Sequence, residues 1–174
     1  MSARTFDPAH QMNRFLLFTK SRREKGNEMS NDVLVGVDGS ENSVAALRWA
    51  GAYAELTGCT VRTITTWEFP AMADMSGMMT MPGQAFLIDG ANSILDGAIE
   101  QAHLPDGVKV LREVVEGQPA HALLDRCADA SLLVVGRRGH SGIVGVFTGS
   151  VATSCANHAE IPVVIVPVEP SLDE

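Results

Sequence analysis

Two kinds of segment alternate along the chain. Short apolar runs stand at 33–37, 132–135 and 162–167, and longer stretches between them repeat apolar residues three and four apart. Runs of that length with no polar face predict strands buried on both sides of a parallel sheet. Over 41–57, Val44, Leu47, Gly51 and Ala54 form one helical stripe, which Ala45, Trp49, Ala52 and Leu56 are expected to widen. Ser40 precedes that helix as an N-cap and Gly58 follows it as a stop. Leu87, Ala91, Ile94, Leu95, Ala98 and Ala102 predict a second helix over 84–102. A third, opened by Pro119, runs through Cys127 with Leu123 and Leu124 facing inward, and a fourth covers 150–158. The β-branched stretch 60–67 reads as a strand, and 108–115 sets Val108, Val110 and Val114 against Lys109 and Glu113, as on a half-exposed edge strand.

Five strands alternating with four helices call for right-handed crossovers and a parallel sheet. The expected fold is α/β and Rossmann-like: a single doubly wound five-stranded parallel sheet in the order 3-2-1-4-5. The amphipathic third strand takes one edge, and the winding reverses between strands one and four. Ligands of open α/β sheets sit outside the carboxyl ends at such a reversal. Asp38 and Gly136 lie at those two ends.

The flanks differ in composition. Residues 1–28 carry six Lys or Arg against three acids, a net of +3 within a total of −8, so 29–174 carry −11. Residues 1–30 lack sustained periodicity and read as a flexible N-terminal extension, with Met29 a candidate start and a short amphipathic helix at 12–18 as the alternative. Residues 169–174 form an acidic tail. The acidic body argues against nucleic acid as a partner. No apolar run approaches the about 18 residues needed to span a bilayer, and no leader pattern precedes the first strand, so no membrane insertion and a cytoplasmic location are expected. Cys59, Cys127 and Cys155 are widely separated and lie in apolar segments without a C-x-x-C pair, which predicts buried thiols and neither zinc nor a dithiol centre.

The candidate chemistry sits after the fourth strand. Between 136 and 149 five glycines fall in fourteen positions, followed by the fourth helix. Glycines there let backbone approach a ligand, and the free amides of a helix N-terminus attract anions. No lysine occurs in the loop, so it is not a Walker-type P-loop, and it lacks G-x-G-x-x-G. What it carries is Gly-x2-Gly-x9-Gly-Ser, as Gly136, Gly139, Gly149 and Ser150. That pattern resembles the nucleotide-binding loop of the universal stress protein family, in its ATP-binding subgroup. The resemblance covers 31–168 and includes Asp38 and the closing strand at 162–167.

The resemblance implies an ATP-binding, non-catalytic or very weakly hydrolytic stress-response regulator. Asp38 is expected to accept a hydrogen bond from adenine or ribose, with Thr66 and Trp67 at the adenine pocket. Gly136, Arg137, Gly139, Gly149, Ser150 and Val151 face ribose and phosphates. Arg138 offers a second guanidinium, and His140 a phosphate contact or a base. ATP is expected alone or with Mg²⁺, and no protein metal site is expected. The implied assembly is a homodimer through 162–167, with a regulatory protein partner that the residues do not identify. No nucleophile with a base and no carboxylate cluster is visible. The competing reading is a nucleotide-free interaction module using the loop 68–83, which holds Met72, Met75, Met78, Met79 and Met81. That loop reads as a lid or partner surface; a copper(I) site is disfavoured because no Cys or His lies within it.

Overall fold

A computed structural model describes residues 31–69, 83–139 and 148–168. The extension with Met29 and the 12–18 helix, the methionines of 72–81, His140 and the acidic tail lie outside the described residues. In chain order the elements are β1 (Asp32–Gly36), α1 (Glu41–Thr57), β2 (Thr60–Trp67), α2 (Gln84–Ala102), β3 (Val110–Glu116), α3 (Pro119–Cys127), β4 (Leu132–Gly136), α4 (Ser150–His158) and β5 (Val163–Val166). The sheet is parallel throughout and ordered β3-β2-β1-β4-β5, so the doubly wound architecture read from the sequence is the one observed.

The strand period of two divides the core into two layers. Val33 and Val35 of β1 pack with Val61, Leu47 and Leu95 under α1 and α2. Leu34 packs on the other face with Ile64, Leu133, Leu123, Cys127 and Cys155 under α3 and α4. Both layers reach β1 and β4, whose Val33↔Leu132 and Val35↔Val134 register brings the two strand ends side by side at the reversal of winding.

The helix α1 buries Val44, Leu47, Gly51 and Ala54 as its spacing predicts, but the stripe widens the other way, through Ser43, Ala46 and Ala50. Leu56 is 85% exposed and Ala52 and Trp49 are also exposed, Trp49 stacking on Tyr53 with ring centroids 5.5 Å apart. Hydrophobicity alone does not tell which flank of a stripe turns inward; here the small residues face the sheet, where a helix can approach closely. Gly58 ends the helix in the left-handed conformation at φ 71°.

Two boundaries are shorter than the pattern predicts. Between Pro162 and Pro167 only the four residues of β5 keep strand pairing, and all four are half-buried because β5 is an edge. The strand β3 starts at Val110, since Val108 closes a turn by donating to the carbonyl of Pro105. Its Glu113 pairs with Arg126 at 3.4 Å and Arg62 at 3.8 Å. Arg62, its side chain 12% exposed, also meets Asp129 at 2.8 Å and Asp32 at 3.7 Å, so a cation within a mostly buried strand is surrounded by carboxylates.

Candidate functional site

The carboxyl ends of β1 and β4 open into a cavity of about 960 Å³. Its walls come from Gly36 at the end of β1 with Val37 and Asp38 after it, from Ile64, Thr65 and Thr66 of β2, from Val135, Gly136, Arg138 and Gly139 at the end of β4, and from Ser150 to Ser154, Asn157 and His158 of α4. A volume in this range accommodates a nucleotide-sized ligand.

Asp38 is held in a turn. Its Oδ1 accepts from the Ser40 backbone N at 3.0 Å and from Ser40 Oγ at 2.6 Å, while Ser40 Oγ accepts from Ser43 N at 3.3 Å as the cap of α1. Gly39, at φ 80°, makes the reversal between them. The N-terminus of α1 is thus satisfied by its own chain.

The N-terminus of α4 is different. Its cap is Gly149, with no side chain to bond the first-turn amides, and Gly149, Ser150, Val151 and Ala152 all line the cavity. With no side-chain cap among the described residues, the first-turn amides and the positive end of the helix dipole favour negative charge at that end. Gly149 itself donates to the carbonyl of Arg137 at 2.8 Å, and a Cβ there would come within 3.3 Å of Arg137 O and Arg138 Cα. Glycine therefore lets the helix start press against the chain leaving β4.

The other glycines serve close approach. A Cβ on Gly136 would collide with the backbone of Asn42, and one on Gly139 with Oδ2 of Asp38. Gly136 thus makes room for α1, a packing role beside its place on the wall.

The remaining residues singled out from the sequence divide. Thr66 and Arg138 stand on the wall, half-buried. Arg137 is half-buried away from it; its amide donates to Val166 O at 2.7 Å, and its Nε is buried without a hydrogen-bond partner among the described residues. Trp67 packs away from the wall, 8% exposed and edge-on to Phe69.

Several wall residues carry no signal in the sequence. Thr65, adjacent to Thr66, is 2% exposed and its Oγ1 has no partner among the described residues. Ile94, Pro119, Leu123, Asn157 and His158 also line the cavity. Leu123 reads as core because its helical spacing is that of core. On the buried face of α4 lies Cys155, whose thiol burial pushes up to about 11, with neighbouring Cys127 adding to the shift. Among the described residues no cluster of His, Cys, Asp or Glu is arranged to hold a metal ion, and no helix is long and apolar enough to cross a membrane.

The family model described as "Universal stress protein family" matches residues 29–167. The chain belongs to the universal stress protein family. A universal stress protein of Mycobacterium tuberculosis is 33% identical over 133 residues, spanning 76% of this chain and 44% of that protein. Another, of Mycobacterium bovis, is 26% identical over 153 residues, spanning 79% of this chain and 48% of that protein. The chain thus spans less than half the length of these curated relatives. Among solved structures, the universal stress protein UspA of Lactobacillus plantarum superposes with a TM-score of 0.63 at 20% identity, covering 80% of this chain and 98% of that one. A universal stress protein solved in complex with cAMP is 30% identical, with a TM-score of 0.57 over 78% of this chain and 94% of that one.

Proposed function

We propose that this universal stress protein binds an adenine nucleotide, ATP, in the cavity at the reversal of winding, and acts as a non-catalytic stress-response regulator. The observation that carries the reading is the first turn of α4, which has Gly149 as its cap residue and no side-chain cap among the described residues, opening on the cavity that Asp38 also lines. Main-chain amides and a carboxylate on the same cavity suit a ligand with a phosphate tail and a hydroxyl- or amine-bearing head. The hydroxyl of Thr65, without a partner among the described residues, adds a donor and acceptor on the β2 side. The 30% identical relative solved with cAMP supports the same ligand class.

In this reading Asp38 and Thr66 meet the nucleoside, and Gly136, Gly139, Gly149, Ser150 and Val151 admit the phosphates to main-chain amides. Arg138, on the wall, takes the part that Arg137 was expected to play. Mg²⁺, where present, rides on the phosphates. The nucleotide-binding unit is 31–168, flanked by the extension and the tail, and it operates in the cytoplasm. The half-buried, apolar edge strand β5 supports a homodimer, and nucleotide state tunes contacts with a regulatory partner.

The test is calorimetric titration of nucleotide-free protein with ATP, paired with native mass spectrometry after gentle purification. Saturable binding at one site per chain and a retained adenine nucleotide are expected. No heat of binding and no retained nucleotide would overturn the reading in favour of a nucleotide-free interaction module.

A further inference from the structure

We propose that residues 12–18 of this chain dock on the outward apolar stripe of α1 and cover it. Trp49, Ala52, Tyr53 and Leu56 recur at helical spacing, so they share one face of that helix. Leu56, Trp49 and Ala52 are exposed, and the rings of Trp49 and Tyr53 stack within 11° of parallel to form a flat platform. The neighbouring helix does not use this face. Arg48 donates to Gln101 O at 3.2 Å and Gly51 stands against Leu104, so α2 and the turn after it meet the opposite flank of α1. Single exposed apolar residues are ordinary, whereas a contiguous stripe with an aromatic centre marks a contact surface.

The chain preceding β1 leaves the described residues beside this stripe. Asn31 Nδ2 donates to Gly58 O at 3.2 Å, and Asn31 O accepts from Thr60 N at 2.9 Å, next to the end of α1 that carries Leu56. The segment upstream has a matching pattern. Met12, Phe15 and Leu16 fall on one helical face with Phe18 beside it, and two helical turns over 12–18 span about 10 Å, the same as the rise from Trp49 to Leu56. Residues 19–30 reach about 40 Å when extended, so the tether does not limit docking. Charge favours the same occupant: residues 1–28 carry a net +3 and 29–174 a net −11, with Lys20, Arg22, Arg23 and Lys25 on the tether. An attached segment also meets the stripe at an effective concentration on the order of a millimolar, which a free partner has to exceed.

The test uses the full-length chain. Trp67 is buried, so acrylamide quenching of tryptophan emission reads Trp49, the other of the two tryptophans. Wild type is compared with Phe15→Asp/Leu16→Asp, with Leu56→Asp on the stripe, and with Leu17→Asp, which lies away from the docking face of the segment. The first two are expected to raise the quenching constant and shift the emission to the red, and Leu17→Asp to do neither. Leu56 is exposed, so its variant leaves the core intact. Unchanged quenching in Phe15→Asp/Leu16→Asp would overturn the inference. A Leu16→Cys/Leu56→Cys pair, built with Cys59→Ser, is then oxidised at low protein concentration. A disulfide within one chain is expected, at monomer mass on a non-reducing gel. Links only between chains would assign the stripe to a second copy, and no link at all to a separate partner or to solvent; either overturns the inference. Nucleotide enters neither readout, so this inference and the proposed function stand or fall separately.

Discussion

A Cβ on Gly136 would lie 2.6 Å from the carbonyl carbon of Asn42 and 2.7 Å from its oxygen, so the end of β4 and the start of α1 meet main chain to main chain. Gly136 lines the cavity, so this contact packs the start of α1 against one of its walls.

Backbone yields little, so Gly136→Ala is expected to destabilise the protein by about 1–3 kcal/mol, as overpacking does. The thermal midpoint should fall by about 2–4 °C per kcal/mol for a chain of this size. Gly36→Ala is the control: its Cβ would meet the end of the Leu123 side chain at 2.8 Å, which can rotate, and the loss should be smaller. Equal losses in the two melts would show that the Asn42 contact is not rigid.

At Gly139 the neighbour is the terminal carboxylate of exposed Asp38 and not backbone, so a side chain there displaces a group held by hydrogen bonds to Ser40 and leaves the main chain in place. Gly139→Glu should therefore fold with a midpoint within a few degrees of wild type, yet carry a carboxylate into the part of the cavity proposed to take the phosphates. Thermal scans with and without ATP are expected to show a rise for wild type and none for the variant. Equal rises would remove this glycine from the account of binding.

The Cys155 thiol is raised from an ordinary 9.0 to about 11 by burial, with Cys127 contributing. A raised pKa means the folded state holds its proton where the unfolded chain has lost it. The resulting stability is fully present below pH 9 and is lost as pH rises towards 11. Urea midpoints should fall across that window more steeply for wild type than for Cys155→Ala. At pH 8, iodoacetamide should modify half-exposed Cys59 before buried Cys127 or Cys155, read by mass spectrometry.

Along β5, the carbonyls of Pro162 and Val166 accept from β4, so by strand alternation the N–H of Ile165 points to the open edge. Ile165→Pro removes an outward donor and leaves the ladder to β4 whole. Sedimentation should shift from dimer to monomer with ATP affinity kept. A variant that stays dimeric would move the subunit contact away from this strand.

Much of this protein is legible in one dimension because its strongest signals are periodic. Val33 to Val35 and Leu132 to Val135 are apolar on both faces, and only a central parallel strand buries both faces. Ser40 and Gly58 bracket α1 where local chemistry demands a cap and a stop. Where patterns were ambiguous the reading slipped. Leu56 and Ala52 suit a helix interior by composition, yet they lie on the flank that faces away from the sheet. Arg62 stands in the β-branched stretch 60–67 with nothing nearby in sequence to name its partners, and Asp32, Glu113 and Asp129 are brought around it from three other segments.

The order of elements, the sheet topology and the glycine loop follow from residue spacing alone, because backbone hydrogen bonding and burial act through periods of two and 3.6. The site does not. That Arg138 and not Arg137 faces the cavity, that Thr65 joins Thr66 on its wall, and that Asp38 is pinned by Ser40 while α4 has no side-chain cap among the described residues are matters of direction, set when separate segments pack. Spacing says which residues arrive at the crevice; only packing in three dimensions says which way each one points.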